Sequence, residues 1–314
     1  MATASYFVTG GAGFIGSHIA EALLDRGEPV RIFDNLATGR EINLAALKGR
    51  AQFIQGDLRD LASVRVAMQG VEVVFHQAAL ASVPRSIADP IKSLETNING
   101  TQNVLLAARD SGVRRVVYAS SSSVYGNTPT LPKREDMPTH PMSPYAVQKL
   151  SGELLCGVFT RIYGLETVAL RYFNVFGPRQ DPASEYAAVI PRFLTALIEK
   201  RPPIVFGDGE QTRDFTYIAN VVQANLLAAS SPDAVGYALN IGCGEQISLN
   251  TVLRLGGELL HVTVDADYRE PRPGDVRDSC ADISLARRLL GYKPSISFHE
   301  GLARTLDALR SSGA

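Results

Sequence analysis

Tyr145 and Lys149 are the residues whose types and spacing most directly suggest acid-base chemistry. They lie in residues 143–149, Ser-Pro-Tyr-Ala-Val-Gln-Lys. If this stretch is helical, the two side chains lie one turn apart on one face, because residues four apart stack along a helix. A tyrosine with its free pKa near ~10 is a poor base at neutral pH, and a neighbouring cation lowers that pKa. The pair could therefore take a proton from an alcohol. An aromatic core contact followed by a solvated lysine is the alternative.

A glycine-rich loop near the N-terminus is typical of a site for a dinucleotide, which could act together with such a base. A short apolar run, residues 5–9, leads into Gly10-x-x-Gly13-x-x-Gly16 and then into a helical pattern over residues 17–26. Strand, glycine loop and helix in this order allow a tight turn, close backbone approach to a pyrophosphate, and free N–H groups at a helix N-terminus. The loop therefore predicts a dinucleotide site.

The second predicted strand, residues 30–33, ends at Asp34, 18 residues beyond Gly16. A carboxylate at this place accepts both hydrogen bonds of an adenosine ribose and repels a 2′-phosphate, which favours NAD over NADP. Asn35 follows without a cationic cluster.

Strands and helices continue to alternate along the chain. Further strands are predicted over residues 52–55, 71–76, 115–119, 167–171 and 237–241, with helices over residues 97–111, 189–200 and 217–229. This alternation favours a doubly wound parallel sheet of the Rossmann type, with ligands beyond the carboxyl ends of its strands. Several polar or small residues follow strand ends and should line one edge: the glycine loop, Asp34, Asp57, Ala78, Ser121 and Asn174.

Beyond Arg171 the sequence contains more loop-like segments, with more Pro and Gly residues. We therefore predict an α/β fold in two parts: a Rossmann domain of residues 1–173 and 214–243, and a smaller discontinuous α/β substrate domain of residues 174–213 and 244–314. No internal repeat interrupts this organisation.

Composition excludes several classes of protein. The chain has 314 residues, a net charge of −1, 45% hydrophobic residues and three widely separated cysteines without metal-type spacing. No basic field would recruit nucleic acid or an acidic membrane. No apolar run reaches the roughly 20 residues that cross a bilayer, and strand-like sequence at the start leaves no room for a signal peptide. We expect a cytoplasmic protein without a metal.

Together, the glycine loop, a run of four serines and the Tyr-x-x-x-Lys pair make the sequence similar to the extended short-chain dehydrogenase/reductase family. Within it, four segments resemble UDP-hexose 4-epimerases: residues 120–126 (SSSSVYG), 171–177 (RYFNVFG), 207–215 (GDGEQTRDF) and 272–275 (RPGD). Residues 81–86 and 180–182 resemble the branch that acts on UDP-N-acetylglucosamine and UDP-N-acetylgalactosamine. The resemblance spans nearly the whole chain.

The resemblance implies a role for each matching residue. Tyr145 would be the base, Lys149 its partner, and Ser121 the hydrogen-bond donor to the sugar 4-oxygen. NAD would contact Gly10, Gly13, Phe14, Ile15, Gly16, Asp34, Asn35, Asp57, Leu58, Gln77, Ala78, Ala79, Tyr145 and Lys149. The UDP-sugar would contact Ser82, Arg85, Ser122, Ser123, Asn174, Val189, Val205, Phe206, Arg213, Arg272, Asp275 and Ser279.

Differences from related enzymes at single positions reduce the number of reactions that the sequence is compatible with. Dehydratases of this fold carry an Asp-Glu pair where this chain has Ser122 and Ser123, so dehydration is disfavoured. Glucuronate 4-epimerases usually have threonine at Asn174, although the serine run also occurs there and among UDP-glucuronate decarboxylases. At Ser279 a bulky tyrosine would restrict the pocket to plain hexoses, whereas serine leaves room for an N-acetyl group.

These observations favour an NAD-dependent UDP-hexose 4-epimerase that acts on N-acetylated and plain sugars. A UDP-glucuronate 4-epimerase or decarboxylase is the alternative enzyme, and a catalytically silent NAD-binding regulator is the alternative of another class. The resemblance also implies a homodimer, through a four-helix bundle built from helices that begin near Lys92 and Tyr145.

Overall fold

Seven parallel strands form the central sheet in a computed structural model that describes residues 6–181, 188–271 and 277–311. The strands of this sheet are β1 (Tyr6–Thr9), β2 (Val30–Asp34), β3 (Gln52–Gln55), β4 (Val73–His76), β5 (Arg115–Ser121), β6 (Glu166–Tyr172) and β11 (Ala238–Ile241). Their order is β11-β6-β5-β4-β1-β2-β3. The predicted Rossmann-type doubly wound sheet is confirmed.

Helices cover both faces of the sheet, because each parallel strand returns through a crossover. The described helices are α1 (Phe14–Leu24), α2 (Glu41–Leu44), α3 (Leu61–Ala67), α4 (Val83–Ala88), α5 (Pro90–Leu94), α6 (Gly100–Asp110), α7 (Pro144–Tyr163), α8 (Val189–Ile198), α9 (Ile218–Ser230), α10 (Leu249–Leu260), α11 (Ser284–Leu290) and α12 (Phe298–Ser311). A π-helical turn, Glu95–Asn99, joins α5 to α6. The helix predicted over residues 97–111 is therefore the second half of a longer helical run.

Three small ladders lie outside the central sheet. They pair β7 (Val175–Phe176) with β10 (Thr216–Tyr217), β9 (Thr212–Arg213) with β12 (Ile247–Ser248), and β8 (Ile204–Phe206) with β13 (Asp267–Arg269). One continuous apolar cluster runs from Val8 of β1 to Leu302 of α12. The division into two domains at the boundaries given above stays a prediction.

A second apolar cluster fills the opposite face of the sheet, under α3, α6 and α7. Buried Val116 and Ala169 of the sheet meet Val104 of α6 and Cys156 of α7 there. This packing places α7 across β5 and β6, so that Tyr145 and Lys149 of the helix lie near Ser121 at the end of β5.

Candidate active site

Local sequence explains where α7 begins and how closely it packs. The Ser143 hydroxyl accepts a hydrogen bond from the Ala146 N–H at 3.2 Å, and Pro144 occupies the first turn, where its missing N–H costs nothing. Farther along, a Cβ on Gly152 would lie 2.2 Å from the Tyr118 hydroxyl oxygen. Gly152 thus lets the helix backbone approach β5, which brings Tyr145 and Lys149 over the strand ends.

Tyr145 and Lys149 are one turn apart, as the spacing predicts. The Lys149 Nζ lies 5.8 Å from the centroid of the Tyr145 ring and donates a hydrogen bond to the Ala119 carbonyl at 2.7 Å. Burial lowers the Lys149 pKa to about 8. Burial also raises the Tyr145 pKa to about 12, against a hydrogen bond with Ser121 that lowers it. In the protein alone, burial therefore outweighs the expected lowering of the tyrosine pKa.

Ser121 ends β5 and Tyr145 begins α7, so a strand end and a helix start converge on one point. The Ser121 hydroxyl accepts the Ser123 N–H at 3.2 Å, which starts the turn Ser122–Tyr125. Ser121 is the serine that the structure places against the Tyr145 hydroxyl. The Ser123 hydroxyl is buried without a hydrogen-bond partner among the described residues.

The glycine loop is packed too tightly for side chains. A Cβ on Gly10, whose φ is +69°, would lie 2.7 Å from the Ala78 backbone, and one on Gly16 would lie 2.2 Å from the Gly10 carbonyl oxygen. Gly13 stands at the N-terminus of α1. Phe14 and Ile15 form the first helical turn and pack on the apolar core, so their backbone rather than their side chains faces the loop.

Asp34 is held in place by backbone groups. Its two carboxylate oxygens accept the Ala12 N–H at 3.0 Å and the Leu36 N–H at 2.8 Å, and burial raises its pKa. Each oxygen keeps further acceptor capacity for a ribose hydroxyl.

The glycine loop and Asp34 line a pocket of about 190 Å³ at the carboxyl edge of the sheet. It unites most residues predicted for the cofactor: Gly10, Gly13, Asp34, Asn35, Asp57, Leu58, Gln77, Ala78 and Ala79. Among the other lining residues, the sequence interpretation missed four with polar side chains, Thr38, Arg59, Lys92 and Thr96. Arg59 hydrogen-bonds the Asp57 carboxylate and holds its pKa at about 2; its position two residues after Asp57 was the available signal.

A second pocket, of about 260 Å³, lies between β7, α8 and β8. It is lined by four predicted residues, Asn174, Val189, Phe206 and Arg213, and by Gln211, Phe193 and Leu249, which the sequence interpretation did not single out. Val205 is fully buried between its two pocket-facing neighbours on β8, so its side chain belongs to the core. Arg272 and Asp275 lie outside the described residues.

Ser279 contacts Asn174 directly. The Asn174 Nδ2 donates to the Ser279 hydroxyl at 3.3 Å, and the Asp214 N–H approaches the same oxygen at 3.4 Å. Asn174 has a φ of +25°, outside the regions that non-glycine residues favour. Ser279 is buried and does not line the second pocket; it supports that pocket's edge through Asn174.

Ser82 and Arg85 lie at the start of α4, outside both pockets. The Ser82 hydroxyl caps the helix by accepting the Arg85 N–H at 3.2 Å. In the same helix, the Ser86 hydroxyl accepts the Tyr145 N–H at 3.1 Å. This helix therefore contacts the start of α7 at Tyr145 through Ser86, which the sequence interpretation did not select.

In residues 6–181, 188–271 and 277–311, no helix is long and apolar enough to cross a membrane. Within the same residues, no group of three or more His, Cys, Asp or Glu side chains is arranged to hold a metal ion.

Comparison with known proteins gives consistent matches. A "Putative UDP-glucose 4-epimerase" of Methanocaldococcus jannaschii is 39% identical over 97% of this chain and 98% of its own length. A "UDP-glucuronate 4-epimerase" of Thermodesulfobacterium geofontis is 36% identical over 96% and 95%. The structure of a UDP-N-acetylglucosamine 4-epimerase from Methanobrevibacter ruminantium M1, in complex with UDP-N-acetylmuramic acid, superposes with a TM-score of 0.93 at 41% identity, covering 99% and 100%.

The family model described as "NAD dependent epimerase/dehydratase family" matches residues 6–242, which include the glycine loop, the serine run and the Tyr-Lys pair. The resemblance seen in the sequence is confirmed by this match and by the relatives. By its sequence and by the arrangement of its strand-end residues, this chain belongs to the NAD-dependent epimerase/dehydratase family.

Proposed function

We propose that this chain is a UDP-sugar 4-epimerase that interconverts UDP-N-acetylglucosamine and UDP-N-acetylgalactosamine, and also UDP-glucose and UDP-galactose. The configuration at C4 would invert through transient oxidation and return of hydride to the other face. The carrying observation is the convergence of the Ser121 and Tyr145 hydroxyls beside the Lys149 ammonium. That convergence gives a sugar hydroxyl both a base and a hydrogen-bond donor.

The residues of the first pocket fit NAD. The Ala78 backbone leaves no room for a Cβ on Gly10, so this residue presents bare backbone to the pocket, and Asp34 presents carboxylate oxygens at the end of β2. Gly10, Gly13 and the start of α1 would hold the pyrophosphate, Asp34 the adenosine ribose, and Lys149 the nicotinamide ribose. The chemistry that NAD supplies when bound is reversible hydride acceptance from C4 of the sugar.

Tyr145, as a phenolate, would take the proton of the 4-hydroxyl, and Ser121 would donate a hydrogen bond to the same oxygen. Because burial holds the Tyr145 pKa at about 12 in the protein alone, the phenolate needs positive charge nearby. Each pKa unit corresponds to about 1.36 kcal/mol, so several kcal/mol of differential stabilisation are needed. Lys149 and a positively charged nicotinamide are the sources we infer.

The second pocket would bind the UDP part of the substrate. Val189 and Phe206 offer an apolar wall for a base, while Asn174 and Arg213 stand where a diphosphate would need donors. By resemblance, Val205 would contribute its backbone, Arg272 a second phosphate contact, and Asp275 a contact to the uridine ribose. Ser82, Arg85, Ser122 and Ser123 would complete the sugar site.

The preference for an N-acetylated sugar rests on Ser279. A small side chain beside Asn174 leaves room near the sugar, and Ser122 and Ser123 lack the acid pair of a dehydratase. UDP-glucuronate 4-epimerisation is the second candidate, because a relative of that name is 36% identical over nearly the whole chain. A silent NAD-binding regulator is disfavoured because a sensor needs no Ser121, Tyr145 and Lys149 together.

Product analysis tests the proposal. The purified protein is incubated with UDP-N-acetylglucosamine, UDP-glucose and UDP-glucuronate in parallel, with Tyr145→Phe as the matched variant. We expect 4-epimers of the first two sugars, and a loss of about 10²-fold or more in the variant, since general-base catalysis contributes at least that much. The variant should still bind NAD and UDP-sugar.

Each other outcome has a definite meaning. Conversion of UDP-glucuronate alone would establish the second candidate. Near-normal turnover by Tyr145→Phe would reject the role of Tyr145, and no conversion of any UDP-sugar with NAD still bound would favour the regulator.

A further inference from the structure

A row of buried polar side chains crosses three strands just below the catalytic residues. Ser120 of β5 is in register with Arg171 of β6, and Arg171 is in register with Asn240 of β11. All three side chains are buried. Ser121 and Tyr172 are the last residues of β5 and β6. The row of buried polar side chains therefore lies one residue before the strand ends, directly beneath the site.

Glu153 of α7 reaches down to this row. Its carboxylate accepts two hydrogen bonds from Arg171, from Nε at 2.9 Å and from Nη2 at 2.7 Å, and a third from the Ser120 hydroxyl. The side chains of Glu153 and Arg171 are 6% and 7% exposed. A bidentate, buried pair of this kind has one well-defined geometry.

The other side of Arg171 extends the network. Its Nη1 donates to the Tyr125 hydroxyl at 2.7 Å, and that hydroxyl donates to the Asn240 Oδ1 at 2.7 Å. The guanidinium also lies over the Tyr125 ring, 4.9 Å from its centroid. Glu153 is therefore fixed from three strands, more firmly than a carboxylate on a helix surface would be.

Glu153 also lies one turn beyond Lys149, on the same face of α7. The other ionisable groups that face Lys149 are Tyr145 and Cys156 on α7, Tyr118 on β5 and His76 on β4. Burial raises the pKa of Tyr118 well above its usual value and that of Cys156 to about 12, and lowers that of His76 to about 3. In the part of the chain described, Glu153 is the carboxylate near Lys149, and its ion pair with Arg171 holds it in place.

We propose that Glu153, clamped by Arg171 and Ser120, is a positioning residue that keeps the buried Lys149 ammonium charged and holds the strand end that carries Ser121. The inference rests on the proposed function for its catalytic meaning. Glu153 touches neither predicted pocket and acts through Lys149 and Ser120.

The proposal makes a signed prediction for Glu153→Gln. Glutamine keeps the size, and its one amide oxygen can still accept from Ser120 and from the Arg171 Nε, but the amide nitrogen cannot accept from the Arg171 Nη2 and the negative charge near Lys149 is gone. The Lys149 pKa should fall by about one unit or more, the size of effect expected for a nearby opposite charge. Because the proposed mechanism needs Lys149 as an ammonium, the basic limb of the kcat profile should move to lower pH as well.

NMR titration of isotope-labelled lysine side chains in the NAD-bound enzyme measures the Lys149 pKa directly, with the Lys149 signal assigned from a Lys149→Met variant. Glu166→Gln is the matched control, because Glu166 makes the corresponding pair with buried Arg115 at the opposite end of β5 and β6. We expect this control to leave the Lys149 pKa and the basic limb unchanged. In the double variant Glu153→Gln/Arg171→Gln neither charge of the buried pair is left unpaired, and the Lys149 pKa should still be lowered, because the Glu153 charge that acts on Lys149 is gone.

The outcomes separate this inference from the proposed function. An unchanged Lys149 pKa in folded Glu153→Gln overturns the inference, whatever the substrate. Should Glu153→Gln fail to fold, the double variant Glu153→Gln/Arg171→Gln is titrated instead and must show a lowered Lys149 pKa; an unmoved value there overturns the inference too. A wild-type enzyme that converts no UDP-sugar while Glu153→Gln still lowers the Lys149 pKa would reject the proposed function alone.

Discussion

At the scale of single residues, Tyr145 and Lys149 lie in an environment that opposes the chemistry we propose for them. Burial favours the neutral forms of both Tyr145 and Lys149, which raises the pKa of the first to about 12 and lowers that of the second to about 8. The mechanism that we propose needs both groups charged. The same burial strengthens the electrostatic interaction of Tyr145 and Lys149 with any charged group that enters the site, because the surrounding dielectric is low.

Ser279 carries the prediction that belongs to this scale. Ser279→Tyr should lower kcat/KM for UDP-N-acetylglucosamine more than for UDP-glucose, because the larger side chain would extend past Asn174 toward the space that we assign to the N-acetyl group. The measurement is kcat/KM for both substrates. Discrimination of about 10-fold or more is expected, the lower end of what steric selection in a pocket achieves.

Ser279→Ala is the control for that substitution. It removes the hydrogen bond from Asn174 but keeps the space, so the preference for the N-acetylated sugar should persist. A Ser279→Tyr enzyme that folds and still prefers UDP-N-acetylglucosamine would contradict the assignment.

At the scale of elements, the position of α7 on β5 decides whether the residues meet. The helix approaches the strand at Gly152, where the Tyr118 hydroxyl lies and also contacts the Lys149 carbonyl oxygen at 3.5 Å. The π-helical turn Glu95–Asn99 packs against the same helix, and the Asn97 Nδ2 donates to the Gln148 Oε1 at 2.7 Å. These contacts hold the catalytic turn from two sides.

Gly152→Ala should therefore displace the helix. A methyl group 2.2 Å from the Tyr118 oxygen cannot be accommodated without movement, and overpacking of this kind costs about 1–3 kcal/mol. Thermal unfolding should occur at lower temperature, and kcat should fall with it.

Gly157→Ala on the same helix provides the comparison. Its methyl group would meet only the end of the flexible Arg161 side chain, at 3.3 Å. Because alanine is favoured over glycine in a helix interior by about 0.5–1 kcal/mol, this variant should be as stable as the wild type or more so. Equal destabilisation of both variants would show that the contact with Tyr118 is not the reason.

At the scale of the whole molecule, an apolar face remains exposed on the helices that flank the site. Ile87 of α4, Ile91 and Leu94 of α5, and Val147 and Leu154 of α7 are exposed, Ile91 by 72% and Leu154 by 63%. A clustered apolar face of this kind is typical of an interaction site. It supports our proposal of a homodimer in which two such faces form a four-helix bundle.

Leu154→Glu should convert that dimer to a monomer, because a carboxylate would have to enter an apolar interface without a partner. Sedimentation or light scattering at micromolar concentration measures the mass. Val66→Glu is the control, since Val66 is 75% exposed on α3, which packs on α6; it should leave the mass unchanged. A monomeric wild-type protein would reject the homodimer.

Local sequence determined the architecture of this protein to a large extent. The glycine loop, Asp34 and the alternating apolar runs predicted the parallel sheet, because the turn, the helix start and the strand pattern are encoded in contiguous residues. The helical spacing of Tyr145 and Lys149 is a property of one segment and was equally predictable. The predicted start of α1, at Ser17, differs by only a few residues from the observed start at Phe14.

Only the tertiary structure decided which distant residues meet and with what charge. The contact of Ser121 with Tyr145, the place of Arg59 and Gln211 in the two pockets, and the pairing of Glu153 with Arg171 all depend on packing between separate segments. The pKa of Tyr145 was expected to fall and rises in the protein alone, because desolvation is set by everything packed around a group. Sequence spacing places a phenol beside an ammonium, whereas the fold sets how much water either one keeps.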